Sequence, residues 1–259
     1  MDDFFRFYDI ETDATRADWV LKRCDGPQGT LHTVVPSGFT SYARICHPAW
    51  SVEPLDPNDS KAWEALRAGW SDVERLTPIR WEEVAPTNNQ APHRLMHWHD
   101  ICSPVTRESG MAGIDPPREG ELTIDMIESL FAVLGDLYGP DLEIFCGIWE
   151  GYNLPIYRKA MAKFESYSGQ QSYLIFSSTL SRMRSGWLAA YSHARHHHST
   201  EIAGLVPNAI WPYSCDWYLA SPYNLPSSYI GGSVDLVNRI SRAVNLETYQ
   251  ALPGDNLYK

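Results

Sequence analysis

Residues 123–149, with the sequence TIDMIESLFAVLGDLYGPDLEIFCGIW, contain the two patterns that decide the fold class. Apolar residues recur at spacings of three and four in the first part, which predicts an amphipathic helix over Thr123–Tyr138. Gly139 and Pro140 end this helix, because glycine favours the C-terminal cap conformation and proline cannot continue a helix. The nearly unbroken apolar run Leu142–Trp149 has the length of a buried strand. A helix followed by a buried strand indicates an α/β or α+β core.

Shorter patterns on either side of this segment predict further strands and helices. A turn at Pro36–Gly38 separates two runs rich in β-branched and aromatic residues. An apolar stripe predicts a helix over Ser60–Leu76, and Ser233 caps a helix whose apolar positions extend to Val244. The predicted strands on these flanks are Thr30–Val35, Ser41–Cys46, Ser172–Ser178, Asp216–Ser221 and Ser227–Ile230. Because strands and helices do not alternate strictly, we expect an α+β fold: a mixed, largely antiparallel sheet with three to four helices packed on it.

The composition is typical of a globular protein that needs no cross-links. The chain has 259 residues, of which 44% are hydrophobic and 20% are charged, so it can bury a substantial core. We find no internal repeat or flexible linker, and we therefore predict a single globular domain over residues 1–259. The five cysteines are scattered and never form a C-x-x-C pair. This spacing resembles neither a disulfide framework nor a zinc knuckle.

The formal net charge of −11 restricts the classes of partner. Nucleic acids and anionic membrane surfaces both need a basic footprint, and no basic run here is longer than two residues. We therefore expect no nucleic-acid or membrane partner, whereas a basic protein suits the charge. The N-terminus is acidic where a signal peptide is basic, and no apolar stretch is long enough to span a bilayer, so the expected compartment is the cytoplasm. Ten tryptophans and fourteen tyrosines fit either a well-anchored core or a binding groove.

The densest polar cluster is the segment HRLMHWHD, which starts at His93. If Pro92 opens a helix, then His93, His97 and Asp100 lie on one face at i, i+4 and i+7 and could bind a divalent metal. In a strand, alternate histidines would also share a face. The alternative, which we favour, is an amphipathic segment whose histidines face water. We expect a second histidine-rich segment, His193–His198, to be an exposed loop without a defined site.

The segment SYIGGSVDL, which starts at Ser228, runs from a strand through Gly231 and Gly232 into a helix. Backbone N–H groups at a helix N-terminus can hold an anion when no side chains are in the way, so an anionic small molecule is one expected ligand class. Ser233 as an ordinary N-cap explains the same residues, and Asp235 in the first turn would repel an anion. The segment also lacks the spacing of a nucleotide-binding loop.

Two carboxylates lie beside tryptophans at predicted strand ends: Glu150 follows Trp149, and Asp216 precedes Trp217. An apolar neighbour raises the pKa of a carboxyl group towards neutrality, which suits proton transfer. Nothing in the sequence brings these two carboxylates together, and no nucleophile motif is present. The alternative interpretation is an edge carboxylate that pairs with an arginine such as Arg44.

Three segments together carry a resemblance to a family: YARICHPAW from Tyr42, IFCGIWEG from Ile144, and IWPYSCDWYLASPYNLPSSYIGGS from Ile210. They resemble an uncharacterised family of actinobacterial proteins of similar length. The resemblance spans about Tyr42–Asp255, which implies one domain, and it implies no particular activity. The residues that match the family pattern are Tyr42, Arg44, His47, Glu150, Gly151, Trp211, Trp217, Gly231 and Gly232. Family members tend to carry acids where this chain has Ser214, Pro222 and Asn224, so any role of those acids is lost here.

The missing catalytic motif favours a binding or interaction protein that recognises a basic protein partner, as an immunity or accessory protein would. The expected binding residues are Arg44, Trp149, Trp211, Trp217, Gly231, Gly232 and Ser233. The alternative is a small-molecule enzyme with an aromatic-lined pocket, in which Arg44 and the glycine turn hold an anionic group and His47 or Glu150 moves protons. Such an enzyme could depend on a divalent metal at the segment that starts at His93.

Overall fold

A computed structural model describes residues 6–54, 74–102, 113–152, 162–165, 171–197 and 207–258, with a few isolated positions from 58 to 64. These residues form a large antiparallel sheet, a three-stranded antiparallel sheet and helices. The strands are β1 (Asp9–Ile10), β2 (Ser41–Cys46), β3 (Ala49–Pro54), β4 (Glu74–Ile79), β5 (Gly113–Asp115), β6 (Glu143–Trp149), β7 (Lys163–Glu165), β8 (Ser172–Thr179), β9 (Ala209–Pro212), β10 (Tyr218–Ala220), β11 (Ser227–Gly232) and β12 (Glu247–Gln250). The helices are α1 (Asp18–Arg23), α2 (Trp81–Thr87), α3 (Trp98–Ile101), α4 (Ile124–Tyr138), α5 (Leu180–His197) and α6 (Val234–Ser241). The predicted α+β class is confirmed, with more helices than expected.

The chain divides into two compact units. The first comprises Met1–Ile45 and Glu119–Lys259, and the second comprises Cys46–Arg118. Except for Cys46 at the end of β2, the large sheet belongs to the first unit, together with α1, α4, α5 and α6. The second unit holds the sheet β4-β3-β5 with α2 and α3. The expectation of a single globular domain stays a prediction.

The large sheet has the strand order β1-β8-β6-β9-β10-β11-β2-β12, and β7 also pairs with β8. Cys146 in β6 lies opposite Phe176 in β8 and Ile210 in β9, which fixes the register of the sheet centre. Successive side chains of a strand point to opposite faces. Accordingly, Cys146 packs in a core cluster with α4, α5 and α6, whereas its neighbour Phe145 packs in a second cluster with α1. Both faces of the central strands are therefore covered.

Helix α4 confirms the prediction from residues 123–149. The Thr123 side chain caps the helix by accepting from the backbone N–H of Met126 at 3.4 Å. Gly139 ends it with φ +90°, and its N–H donates to the carbonyl of Gly135 at 2.9 Å. The buried side of α4 packs against α5, where the rings of Phe131 and Trp187 meet edge to face at 5.4 Å.

In the second unit, Trp81 at the start of α2 is completely buried. Its indole Nε1–H donates to the carbonyl of His47 at 2.8 Å, and its ring lies 5.6 Å from that of Trp98. Strand β3 pairs Val52 with Leu76 of β4 on one side and Ser51 with a residue of β5 on the other. This unit therefore has its own small sheet and its own aromatic contact.

Within the described residues one predicted element is wrong and two are too long; the helix predicted over Ser60–Leu76 is helical at Ser60, Lys61 and Glu64. The segment Thr30–Val35 contains the 3₁₀ turn Leu31–Thr33, because the N–H groups of Thr33 and Val34 bond to carbonyls three residues back. The predicted helix Ser60–Leu76 lies largely outside the described residues, but Leu76 itself is in strand β4. Helix α6 ends at Ser241, and Val244 beyond it is 80% exposed. No helix in the described part of the chain is long and apolar enough to cross a membrane.

Candidate functional site

Five aromatic side chains of the first unit form what we call the aromatic cluster: Trp149, Tyr152, Tyr173, Tyr223 and Tyr258. The rings of Trp149 and Tyr223 stack face to face, with centroids 3.8 Å and planes 3° apart. Tyr152 meets Trp149 edge to face at 5.2 Å. The pKa of Tyr173 is raised mainly by burial and further by its interactions with Tyr258, Tyr152 and Tyr223, which places the four hydroxyl groups near one another. Tyr258 remains 42% exposed, so the cluster reaches the surface.

Gly120 brings two carboxylates to this cluster. It has φ +68°, a conformation that favours glycine, and a Cβ there would lie only 2.7 Å from the Cα of Tyr223. Its backbone N–H donates to the carbonyl of Leu225 at 3.0 Å. Glu119 and Glu121 flank Gly120 and are therefore carried along with it to the loop that holds Tyr223.

Each of the two carboxylates acts electrostatically on one tyrosine of the cluster. The pKa of Tyr152 is raised first by burial and also by the negative charge of Glu121. The pKa of Tyr258 is likewise raised by burial and, to a smaller extent, by Glu119. Aromatic faces next to carboxylates attract cations, because the ring quadrupole and the carboxylate charge act in the same direction.

The Asn208 side chain forms hydrogen bonds with two residues of the aromatic cluster. It is only 3% exposed, and its Oδ1 accepts from the backbone N–H of Trp149 at 2.9 Å. Its Nδ2 donates to the Tyr152 hydroxyl and to the carbonyl of Ser221, both at 3.1 Å. A buried amide with all of these bonds is costly to replace, so it defines the position of both aromatic residues.

A cavity of about 50 Å³ adjoins the aromatic cluster. Tyr173 and Asn208 contribute to its lining, together with Phe164, Glu165 and Gln171. It can hold a few waters but is smaller than the roughly 300–1,000 Å³ of typical small-molecule sites. None of the predicted binding tryptophans lines it.

The structure places the three predicted binding tryptophans differently. Trp211 and Trp217 are completely buried. Trp211 stacks on Tyr218 at 5.8 Å, and Trp217 lies 6.2 Å from the ring of Tyr138. Both are packing residues of the two core clusters. Trp149 is the one of the three that belongs to the aromatic cluster.

The predicted anion site has a packed and acidic environment. A Cβ at Gly231 would collide with the ring of Phe39, so this glycine is needed for close packing in β11. Gly232 is likewise confined, because a Cβ there would lie 2.7 Å from the Leu236 side chain. The Ser233 hydroxyl caps α6 by accepting from the N–H of Leu236 at 3.1 Å. This geometry favours the capping interpretation, and an anion site here stays a prediction.

Two carboxylates near the start of α6 also oppose an anion. The pKa of Tyr138 is raised by burial and further by the charges of Asp216 and Asp235, while a hydrogen bond with Ser233 lowers it. Because both carboxylates act on a hydroxyl that contacts the capping serine, negative charge already lies at this helix N-terminus. The protein's own carboxylates therefore already interact with the helix dipole, which makes the site less favourable for an anion.

Arg44, His47 and Glu150 each have a local partner. Arg44 is buried in β2, and its Nε donates to the hydroxyl of Ser227 in β11 at 2.9 Å. Glu150 forms an exposed ion pair with Lys163, at 3.6 Å, instead of with an arginine. His47 is buried in the second unit, with Nδ1 2.8 Å from a backbone carbonyl of that unit. A shared catalytic cleft of these three residues stays a prediction.

No helix starts at Pro92, which was the condition for one form of the metal site considered at this segment. The N–H of Met96 bonds to the carbonyl of His93 in a turn, and α3 begins only at Trp98, after His97 in extended conformation. The one-face arrangement of His93, His97 and Asp100 assumed that helix, and the strand considered as its alternative does not form here either. Within the described ranges, no group of three or more His, Cys, Asp or Glu side chains is arranged to hold a metal ion. Met96 and Ile101 are buried and His93 is exposed, but Leu95, which the amphipathic interpretation expected to face inward, is 43% exposed.

The second histidine-rich segment is helical through His197, because α5 continues to that residue. The expected exposed loop is therefore wrong for His193–His197, and His198 lies outside the described residues.

Trp149 was predicted as a binding residue from the sequence, but the residues that make it part of a site were not. Asn208, Tyr223 and Gly120 lie in loops or at strand ends without a recognisable motif. A glycine between two glutamates, in the sequence EGE at residues 119–121, was the only local signal.

Comparisons with known proteins add no relative. A scan against protein-family models, a search of curated proteins and a search of solved structures each find no match to this chain. The resemblance to an actinobacterial family stays a prediction. What the structure defines is an α+β protein whose large sheet carries an aromatic and acidic cluster.

Proposed function

We propose that this is a binding protein that recognises a basic protein partner through the aromatic cluster and the neighbouring carboxylates Glu119 and Glu121. The observation that carries the proposal is the parallel stack of Trp149 and Tyr223 beside two carboxylates that act on Tyr152 and Tyr258. Tryptophan and tyrosine are enriched at the energetic centres of protein interfaces. An immunity or accessory protein would have such a surface.

The charge of the whole chain supports the same class of partner. A net charge of −11 accelerates encounter with a basic surface and disfavours acidic competitors. At the cluster itself, an arginine of the partner could stack on an aromatic face while its guanidinium bonds to a carboxylate.

The cysteines do not offer an obvious nucleophile. All five are free thiols, and burial raises the pKa of Cys24 to about 12 and that of Cys146 well above its usual value. A protonated, buried thiol is inert, because the thiolate is the reactive species. Thiol chemistry therefore gives the enzyme alternative no support at these two positions.

The test is capture of the partner from a native lysate by the immobilised full-length chain. We expect a basic protein at one-to-one stoichiometry, with binding weakened by added salt. The double variant Glu119→Gln/Glu121→Gln should raise the Kd of the captured protein about tenfold. Tyr223→Ala should weaken binding at least as much, because it removes the stack.

A matched control uses two other exposed carboxylates with the same spacing. Asp141→Asn/Glu143→Gln removes the same charge from the other end of β6 and should leave the Kd within about twofold. The proposal fails if no stoichiometric partner is captured, or if both double variants bind equally well.

A further inference from the structure

The cavity beside the aromatic cluster has apolar walls and one charged side chain. Val20 of α1, Phe164 of β7 and Tyr218 of β10 supply apolar surface. Glu165 is the only charged residue among the described residues that line it. An apolar channel with a carboxylate suits a ligand that has an aliphatic stem and a positive head.

The two amide side chains of the lining already form hydrogen bonds within the protein. Both ends of the Asn208 amide are bonded within the cluster, and Gln171 Oε1 accepts a hydrogen bond from the Tyr173 hydroxyl. Lys163, two residues before Glu165, forms an ion pair with Glu150. Glu165 is exposed, and it is therefore the lining group that is available to a cation from outside.

The size of the cavity limits the ligand further. A volume of about 50 Å³ accommodates a narrow unbranched chain more readily than an aromatic ring, given that a single water needs roughly 10–15 Å³ of such space. Lysine and arginine side chains have this form, with three or four methylene groups that pack on apolar surface while the charge stays near water.

We propose that this cavity receives one lysine or arginine side chain of the basic partner, with the stem against the apolar lining that includes the stacked rings of Phe164 and Tyr173 and the cationic head at Glu165. This inference rests on the proposed function and extends it from a surface to an anchoring pocket. Anchor residues that fill a partner's pocket dominate the affinity of many interfaces.

The test uses the full chain and three small probes in NMR titrations: N-acetyl-lysine methylamide, N-acetyl-arginine methylamide and the uncharged N-acetyl-norleucine methylamide. We expect the cationic probes to shift the amide signals of Phe164 and Glu165, with a Kd on the order of 1 mM for ligands of this size. The norleucine probe keeps the stem without the charge and should bind at least about threefold more weakly. Comparing the two cationic probes identifies which side chain the cavity prefers.

Variants at Glu165 and Glu143, which are both exposed, keep the test independent of folding. Glu165→Gln should weaken the cationic probes about threefold to fivefold, and Glu143→Gln, an exposed strand carboxylate outside the lining, should leave them unchanged. Gln171→Glu adds a second carboxylate to the lining and should tighten binding. Equal binding of the norleucine and lysine probes, or no effect of Glu165→Gln, would overturn the proposal.

The result is separable from the test of the proposed function. If the partner is captured in a manner that depends on Glu119 and Glu121 while no probe enters the cavity, only the anchoring pocket is wrong. If the cationic probes bind with the expected dependence on Glu165 but no partner is captured, the cavity site stands and the proposed function is wrong.

Discussion

Gly120 determines where two carboxylates lie, although it has no side chain of its own. Its positive φ and its approach to the Tyr223 backbone leave no room for a Cβ. The contact is with main-chain atoms, which cannot rotate away as the end of a flexible side chain can. The hydroxyl of Ser221 donates to the Gly120 carbonyl at 3.3 Å and also holds Gly120 in place.

Gly120→Ala should therefore destabilise the protein by about 1–3 kcal/mol, because the new methyl group is strained in φ and overlaps the Tyr223 backbone. Gly135→Ala is the matched control: this glycine lies inside α4, and nothing comes within 4 Å of a Cβ there. The control should stabilise the protein by about 0.5–1 kcal/mol, since alanine favours the helix. Urea unfolding followed by circular dichroism measures both changes. A Gly120→Ala variant as stable as the parent would contradict the close approach.

Among the secondary-structure elements, α6 shows how one side chain can be tested for two roles. Its hydroxyl cap at Ser233 explains the stability of the helix start, whereas an anion site would use the free N–H groups around it. The nearby Asp216 and Asp235 act on Tyr138 and favour the first role. A cap needs a side-chain acceptor at position 233, whereas an anion site needs N–H groups that no side chain occupies.

Ser233→Ala should lower the free energy of unfolding by about 1 kcal/mol, because the N–H of Leu236 loses its acceptor. Ser233→Asn should restore most of that loss, since an asparagine side chain caps as well as a serine. Thermal unfolding of both variants, with and without 20-fold changes in phosphate concentration at constant ionic strength, separates the roles. We expect no stabilisation by phosphate in any variant; phosphate-dependent stability that disappears in Ser233→Asn would indicate an anion site instead.

Sequence alone predicted those elements whose signals are local. The apolar stripe of α4, its end at Gly139 and the apolar run of β6 all act within one segment, and each is present as expected. The strand predicted over Thr30–Val35 from its β-branched residues is wrong. Backbone N–H groups in this segment bond to carbonyls within a turn instead of to a neighbouring strand. The aromatic cluster could not be predicted, because Gly120, Trp149, Asn208 and Tyr223 meet only through the register of β6 with β9 and the crossing of two loops.

At the scale of the whole molecule, the buried thiols and phenols give stability a definite dependence on alkaline pH. Burial raises the pKa of Cys24 from 9.0 to about 12, and it also raises the pKa of Cys146, Tyr8 and Tyr218 well above their usual values. In every case the charged form is disfavoured by the loss of water around it. The folded chain therefore keeps protons that the unfolded chain has already released.

The sign of the effect follows from this difference in bound protons. Below pH 9 the thiol of Cys24 is protonated in both states and its stabilising effect is fully present; between pH 9 and about 12 the unfolded state releases the proton first, so stability falls as pH rises. Each such group contributes a slope of about 1.4 kcal/mol per pH unit inside its window. We expect the free energy of unfolding, measured in urea from pH 8 to 11, to decline above pH 9.

Cys24→Ala should make that decline shallower by about 1.4 kcal/mol per pH unit between pH 10 and 11, whatever constant loss the smaller side chain causes. Cys215→Ala is the control, because this thiol is only partly buried and its pKa is raised less far by burial. Cys215→Ala should change the slope of stability against pH by less than Cys24→Ala does. Equal slopes for Cys24→Ala and the parent chain would show that Cys24 ionises as readily in the folded protein as in the unfolded one, which its burial at the C-terminal end of α1 and next to Tyr218 does not allow.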